Sequence, residues 1–411
     1  MARMSPMLEL YAAAGAPGLA YGPEQAGVHI AIGFAPFALE YAAIRTGAAA
    51  LDCPHRGVVV VRGADRHAFL QRMITQDVRG MGEWSIRRGF WLNRKGRIDA
   101  DLEIIELPPG ALPAITGDAA CSLLVVDVHA AQRTVETLSA FVIADDVEIE
   151  DLSERTHMVQ VHGPAACAAL AAHCPVGADA VLDLERDRAC AARVATPAGP
   201  RCTLVTRTDT TGEIGLTIIA AASDARAIYE AISDLPPVPD RPDGALAEPA
   251  PGPRRARRIG WHAFNVARLE AGTPLYNVDF GPTSLPHETG RETLLDRVSF
   301  KKGCYLGQEV VARMESLGHP KQQLVALRLD TPADAPQPVT GSHVLADPAG
   351  QAIGAVTSSA VSPMLSGAVI CLAMVKHAHA AAETILWVRP TPDSPPQHAR
   401  VQPHLASWRR P

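Results

Sequence analysis

The alternation of apolar and polar positions first organises the chain at Val58 to Val61, a short apolar run that ends at Gly63. Beyond it Ala68, Phe69, Leu70 and Met73 fall on one face of a 3.6-residue period, so the pattern predicts strand, turn, helix. The same grammar returns at Met158 to Val161, with Gly163-Pro164 at the turn and Cys167, Ala168, Leu170 and Ala171 beyond. Pro164 suits a first helical turn, where its missing N–H leaves nothing unpaired. Strand-like runs follow each unit: Ile98 to Leu107 after the first, Cys202 to Thr206 and Gly215 to Ala220 after the second. A duplicated α+β unit is the expectation.

The pattern then breaks. Seven prolines between Pro236 and Pro253 cannot donate to a β-ladder or continue a helix, and they mark a flexible insertion. Arg254-Arg255-Ala256-Arg257-Arg258 follows and reads as a solvated loop edge, with an anionic ligand tail or nucleic acid as the alternative partner. Gly260 to Leu269 resumes a helical period. From Gln323 to Val388 the chain becomes a series of short strands: Leu324–Leu329, Ser342–Leu345, Ile353–Thr357, Val369–Ala373 and Ile385–Val388. Gly, Pro and Asp separate them, the spacing of a small, closed or nearly closed β-barrel. The expected division is an N-terminal extension (1–34), two related subdomains (35–150 and 151–320, the second carrying an insertion at 236–258), a barrel (321–390) and a frayed tail (391–411).

Composition narrows the function classes. A net charge of −6 over 411 residues excludes a chain that is basic throughout, the usual nucleic-acid binder. No apolar run approaches the roughly 18 residues of a membrane span, and the N-terminus lacks a secretory pattern. Eight cysteines without a Cys-x-x-Cys pair fit neither a disulfide framework nor a zinc site, so a cytoplasmic, reducing setting is expected and no metal site is assigned. Lysine occurs only at 95, 301, 302, 321 and 376. Three of these five fall between 301 and 321, either by chance or because a compact point charge is needed there.

Candidate chemistry is scattered. Asp99 and Asp101 would share one face of a strand, suited to proton transfer or cation stabilisation, or else form a solvated edge. Glu213, on a Gly-flanked turn, can offer two acceptor oxygens to a planar N–H edge, with Arg268 as a matching fork. Each is also compatible with an ordinary surface charge. The densest segment is Lys302-Gly303-Cys304-Tyr305-Leu306-Gly307-Gln308-Glu309. Lys302 and a helix starting at Gly307 would both favour the thiolate of Cys304, making it the candidate reactive thiol, against the common structural role of cysteine.

That segment resembles the signature of the YgfZ group of folate-binding proteins, relatives of the glycine-cleavage T-protein, an aminomethyltransferase. The resemblance extends through Arg45–Asp52 with His55, Phe69–Val78, Gly96–Leu102, His162-Gly163-Pro164, Thr211-Gly212-Glu213, Arg268–Gly272, Leu285–Glu288 and Ile353–Ser358, roughly residues 35 to 390. It implies a body of two related α+β subdomains closed by a C-terminal barrel, with tetrahydrofolate in a central cavity. It places Glu213 at the pterin ring and Arg268 at the folate site. Asp101 matches the second member of the T-protein's acidic pair, whose first member falls on Ala100. It further implies an accessory protein that supports iron–sulfur enzymes or their assembly factors through Cys304, with Lys302 as electrostatic neighbour and Gln308 and Glu309 as polar supports. The alternative is a folate-dependent aminomethyl- or methyltransferase using a small amine or sulfonium donor.

Overall fold

The computed structural model describes residues 4–22, 27–234, 255–331 and 336–407. The chain opens with α1 (Leu8–Ala13), the hairpin β1 (Gly18–Tyr21) and β2 (Val28–Ala31), α2 (Phe37–Thr46) and β3 (Ala49–Asp52). The first repeat follows as β4 (Arg56–Arg62), α3 (Arg66–Met73), β5 (Ile86–Leu92), β6 (Ile98–Leu107), α4 (Pro113–Thr116), β7 (Cys121–Asp127) and α5 (Val128–Ser139). After β8 (Glu148–Asp151) the second repeat runs β9 (Thr156–His162), α6 (Ala166–Ala171), α7 (Ala178–Leu182), β10 (Ala189–Val194), β11 (Arg201–Arg207), β12 (Gly215–Ala221) and α8 (Ala222–Ile232). Then come β13 (Ser233–Asp234), β14 (Ala256–Ile259), α9 (Trp261–Glu270), α10 (Arg291–Arg297) and α11 (Gln308–Leu317). The barrel strands are β15 (Gln322–Leu329), β16 (His343–Leu345), β17 (Ala352–Ser362), β18 (Ala368–Lys376), β19 (Ile385–Arg389) and β20 (Gln397–Val401).

The duplication is visible in the sheet orders. The first sheet runs β5-β6-β7-β4-β8; the second runs β10-β11-β12-β9-β3 and continues into β14-β13. Each position in one has its counterpart in the other, with one exchange. β3 leads into the first repeat but pairs antiparallel with β9 of the second, while β8 leads into the second and pairs with β4 of the first. Each half therefore lends its leading strand to the other's sheet.

The apolar runs are continuous because both faces of these strands are covered. Val58 and Val60 point to a core shared with Met158, Leu204 and Ile219 of the second sheet and Phe264 of α9. Val59 and Val61 point the other way, onto Phe69 and Leu70 of α3. All four valines are 0% exposed, and burying each contributes on the order of 1.5–3 kcal/mol. The turn glycines are obligatory: Gly63 (φ +104°) and Gly163 (φ +120°) hold left-handed backbone, and a Cβ there would fall against the carbonyls of Asp146 and Gly47.

Two expectations change. Part of the arginine-rich run is a strand, β14, lying parallel to β3 with Arg257 opposite Ala49; most of the proline-rich insertion, through residue 254, lies outside the described residues. The tail does not fray at 391: β20 pairs with both β15 and β19 and closes the six-stranded barrel. The expected α+β class with a C-terminal barrel is borne out. Among the described residues no helix is long and apolar enough to cross a membrane.

Candidate functional site

A cavity of about 330 Å³ opens where the two sheets meet α9 and the loop after it. Its polar wall includes Arg88, Asp101, Glu103, Gln160, Thr217 and Arg297; Val125, Met158 and Phe264 supply apolar surface. This volume lies at the lower end of small-molecule sites, which run from about 300 to 1,000 Å³. The N-terminal segment completes the wall: Tyr21 lines it and donates its hydroxyl hydrogen to Asp127. Upstream, Ser5 and Tyr11 both donate to buried Asp52, which also meets Nε2 of His157.

Asp101 reaches the cavity because β6 carries a bulge. Trp91 of β5 opposes Ala100 while Leu92 opposes Ile98, leaving Asp99 as the extra residue. Asp99 does not line the cavity; it is buried beside Asn93 (3.0 Å) and Arg133 (3.3 Å). The two carboxylates that β6 sends to the cavity are therefore Asp101 and Glu103, not Asp99 and Asp101. Ala100 is fully buried in the core behind them. Arg297, in the last turn of α10, grips Asp101 with Nε 3.0 Å from Oδ1 and Nη2 3.4 Å from Oδ2.

Backbone contacts hold that end of α10. Thr75 Oγ1 donates to the Arg297 carbonyl (2.6 Å) and Gln76 Nε2 to that of Asp296 (2.8 Å). The segment bearing Thr75 and Gln76 is clasped by Lys302, whose Nζ donates to the carbonyls of Gln71 (2.8 Å), Ile74 (2.7 Å) and Gln76 (2.9 Å). All three ammonium hydrogens thus have acceptors within the chain. Burial pushes Lys302 down to about 8. Cys304 is exposed and does not line the cavity. Gly307, at φ +81°, is the N-cap of α11, as the motif led one to expect.

Glu213 and Arg268 also stand off the cavity wall. Glu213 is buried beside Arg45 (3.7 Å), which pairs with Glu270 of α9 (2.5 Å) and donates to the Thr211 carbonyl (2.8 Å). Arg268 is 0% exposed, ion-paired with Asp279 and hydrogen-bonded to Ser358 Oγ of β17 (2.6 Å). It fastens α9 to the barrel. Four residues past Glu213, Thr217 does face the cavity, and Gln160 opposite it donates to its hydroxyl (3.2 Å). Sequence reasoning passed over both, although a single polar residue inside an apolar strand was the available signal. Arg297 and Glu103 carried no comparable mark.

The donors and acceptors on this wall fit a flat heteroaromatic ligand with N–H edges: carboxylates accept, while Gln160, Thr217 and the guanidinium groups donate. Residues 20–237 match the GCVT N-terminal domain and residues 322–399 the glycine cleavage T-protein C-terminal barrel domain. The chain is 30% identical to a probable aminomethyltransferase of Halobacterium salinarum, over 89% of this chain and 90% of that protein. It is 29% identical to an aminomethyltransferase of Geobacillus kaustophilus, over 92% of this chain and 91% of that one. The crystal structure of glycine cleavage system aminomethyltransferase T from Bartonella henselae superposes with a TM-score of 0.77 at 22% identity, covering 100% of this chain and 99% of its own. That last likeness concerns the fold.

Proposed function

Since the chain belongs to the glycine cleavage T-protein family, we propose that it binds tetrahydrofolate in the central cavity and transfers a one-carbon unit to it, as an aminomethyl or methyl group. The observation that carries this reading is Asp101, set on the cavity wall by the β6 bulge and held there by the bidentate Arg297. Bound tetrahydrofolate supplies the amine nitrogen that receives the carbon. Asp101 provides a fixed negative charge facing the positive charge that an amine or sulfonium donor brings to its carbon. The apolar side, with Met158 and Phe264, limits water around the reacting groups. The aminomethyltransferase relatives support the reaction type.

Calorimetric titration with tetrahydrofolate, beside an assay of one-carbon transfer, tests the proposal. Asp101→Asn is expected to keep the fold and lower transfer by about 10²–10³-fold. An undiminished rate would remove Asp101 from the mechanism. Absence of both tetrahydrofolate binding and transfer in the unaltered protein would reject the reading as a whole.

A second reading rests on Cys304, which is exposed just ahead of α11 in the segment that resembles the YgfZ group. In it the chain is a cytoplasmic, folate-binding accessory protein for iron–sulfur enzymes. One thiol cannot by itself hold a cluster that ordinarily takes four ligands, so a partner would have to supply the rest. Cys304→Ala separates the two readings: transfer intact with lost support of iron–sulfur enzymes in a complemented strain favours the accessory role, and no change in either removes the thiol.

A further inference from the structure

Glu103 and Asp101 are two residues apart on β6 beyond the bulge, and both line the cavity. Their surroundings differ. Asp101 has both carboxylate oxygens in the fork of Arg297. Glu103 is held in the sheet by its backbone, between Arg88 and Val125, while its carboxylate makes no side-chain hydrogen bond or salt bridge among the described residues and feels Arg88, Arg56 and Arg297 only at longer range. Its cross-strand partner, Arg88, turns instead to Asp187 and, at 3.4 Å, to Asp296. Of the two carboxylates that β6 sends to the wall, one is fixed as a charge and the other keeps its oxygens available to a ligand; the remaining acidic lining residues, Asp127, Asp209, Glu292 and Asp296, are each engaged by a neighbouring side chain. Two carboxyl groups in unlike environments are the ordinary basis for dividing electrostatic and proton-transfer roles.

We propose that Glu103 is the proton-carrying residue of the one-carbon transfer, and that Asp101 is its electrostatic companion. This inference rests on the transferase reading above. In the step, the folate nitrogen forms its bond to the donor's carbon and loses its own hydrogen as a proton to the Glu103 carboxylate. The carbon–heteroatom bond of the donor breaks with its electron pair remaining on the donor nitrogen or sulfur. Glu103 then gives the proton to an amine leaving group, or to solvent when the leaving group is a thioether formed from a sulfonium. No oxidant or reductant is needed.

The electrical setting suits a proton carrier. Burial lifts Glu103 above the ordinary carboxylate range and the neighbouring Asp187 adds to the rise, while Arg88 on β5, Arg56 on β4 and Arg297 on α10 oppose it. Asp101 is the other acidic group on the same strand face.

Three measurements test the assignment. In the ligand-free protein carrying carboxyl-labelled glutamate, the resonance that disappears in Glu103→Gln is expected to titrate above the bulk of the glutamates. In transfer assays Glu103→Gln is expected to lose about 10²-fold or more in kcat and the acidic limb of the pH profile, with tetrahydrofolate affinity kept. Glu103→Asp, which retains the carboxyl, should recover part of the rate with the limb displaced. A Glu103 resonance titrating with the bulk, or a folded Glu103→Gln that transfers at the parental rate with the parental pH profile, overturns the proposal. Should Glu103→Gln fail to fold, the labelled resonance is identified by Glu103→Asp and decides the matter. If the parent itself binds and transfers nothing, the transferase reading has failed, which is a distinct result.

Discussion

At the scale of the residue, the charged groups most exposed to misreading were those whose partners come from distant segments. Asp101 could be picked out from its motif, yet its partner Arg297 lies 196 positions away. Lys302 precedes Cys304 by only two positions in sequence, but its ammonium reaches back to carbonyls at 71, 74 and 76. Arg268 shows the cost of such a buried commitment. With Arg268→Met, Asp279 keeps the hydroxyls of Thr357 and Ser358 but loses its cation, and breaking a buried pair in this way costs about 3–5 kcal/mol. Chemical denaturation should show that loss; a change below about 1 kcal/mol would mean that the pair contributes no more than a surface bridge.

His162 belongs to the same scale. Burial pulls its imidazole down to about 4, and Nδ1 has no hydrogen-bond partner among the described residues. The folded pKa is depressed, so the unfolded chain takes up a proton first as pH falls. The resulting stability is fully present above about 6.5 and is lost between there and about 4, up to about 3 kcal/mol. Melting measured across that window should fall less steeply in His162→Gln than in the parent. Equal slopes would assign the acid sensitivity to other groups.

Among the elements, strand and helix periods were readable wherever one residue's environment repeats in its neighbours. Val58–Val61 and Met158–Val161 announced β4 and β9, and Gly63 and Gly163 marked their turns because no other residue accepts those backbone angles without strain. The β6 bulge left no such trace, since one additional residue in a ladder is defined only by the strand opposite it. It decided the candidate site nonetheless, moving Asp99 off the face that Asp101 and Glu103 share. The last strand was missed for a similar reason: Gln397–Val401 is short and polar at its exposed positions, and its identity depends on pairing with β15 and β19. Ending the chain at 390 is expected to open the barrel between β15 and β19 and to lower Tm, because two ladders are left as bare edges. An unchanged Tm in that truncation would show the barrel to be complete without β20.

Across the whole molecule, the duplication could be anticipated but the exchange of leading strands could not. Short crossings at 53–55 and 152–155 carry the chain from one sheet to the other, so β3 and β8 each complete the half to which they do not belong in sequence. Neither half has its full sheet without the other. Residues 4–147 and 148–407, made separately, should be poorly structured, and the combined body should melt without an intermediate in which one repeat remains folded. Two resolved calorimetric transitions within that body would contradict this.

The exchange also fixes how a bound molecule is felt. The cavity lies between two sheets that are stitched together by borrowed strands, so prying open its walls requires undoing the ladders of both. Occupancy therefore registers as resistance of the entire body to heat, not as a local tightening. A ligand present at about a hundred times its dissociation constant would add about 2.7 kcal/mol to the unfolding free energy. Ranking one-carbon donors and folate analogues by the thermal shift they cause would then sort them by affinity, with the protein's own melting serving as the balance.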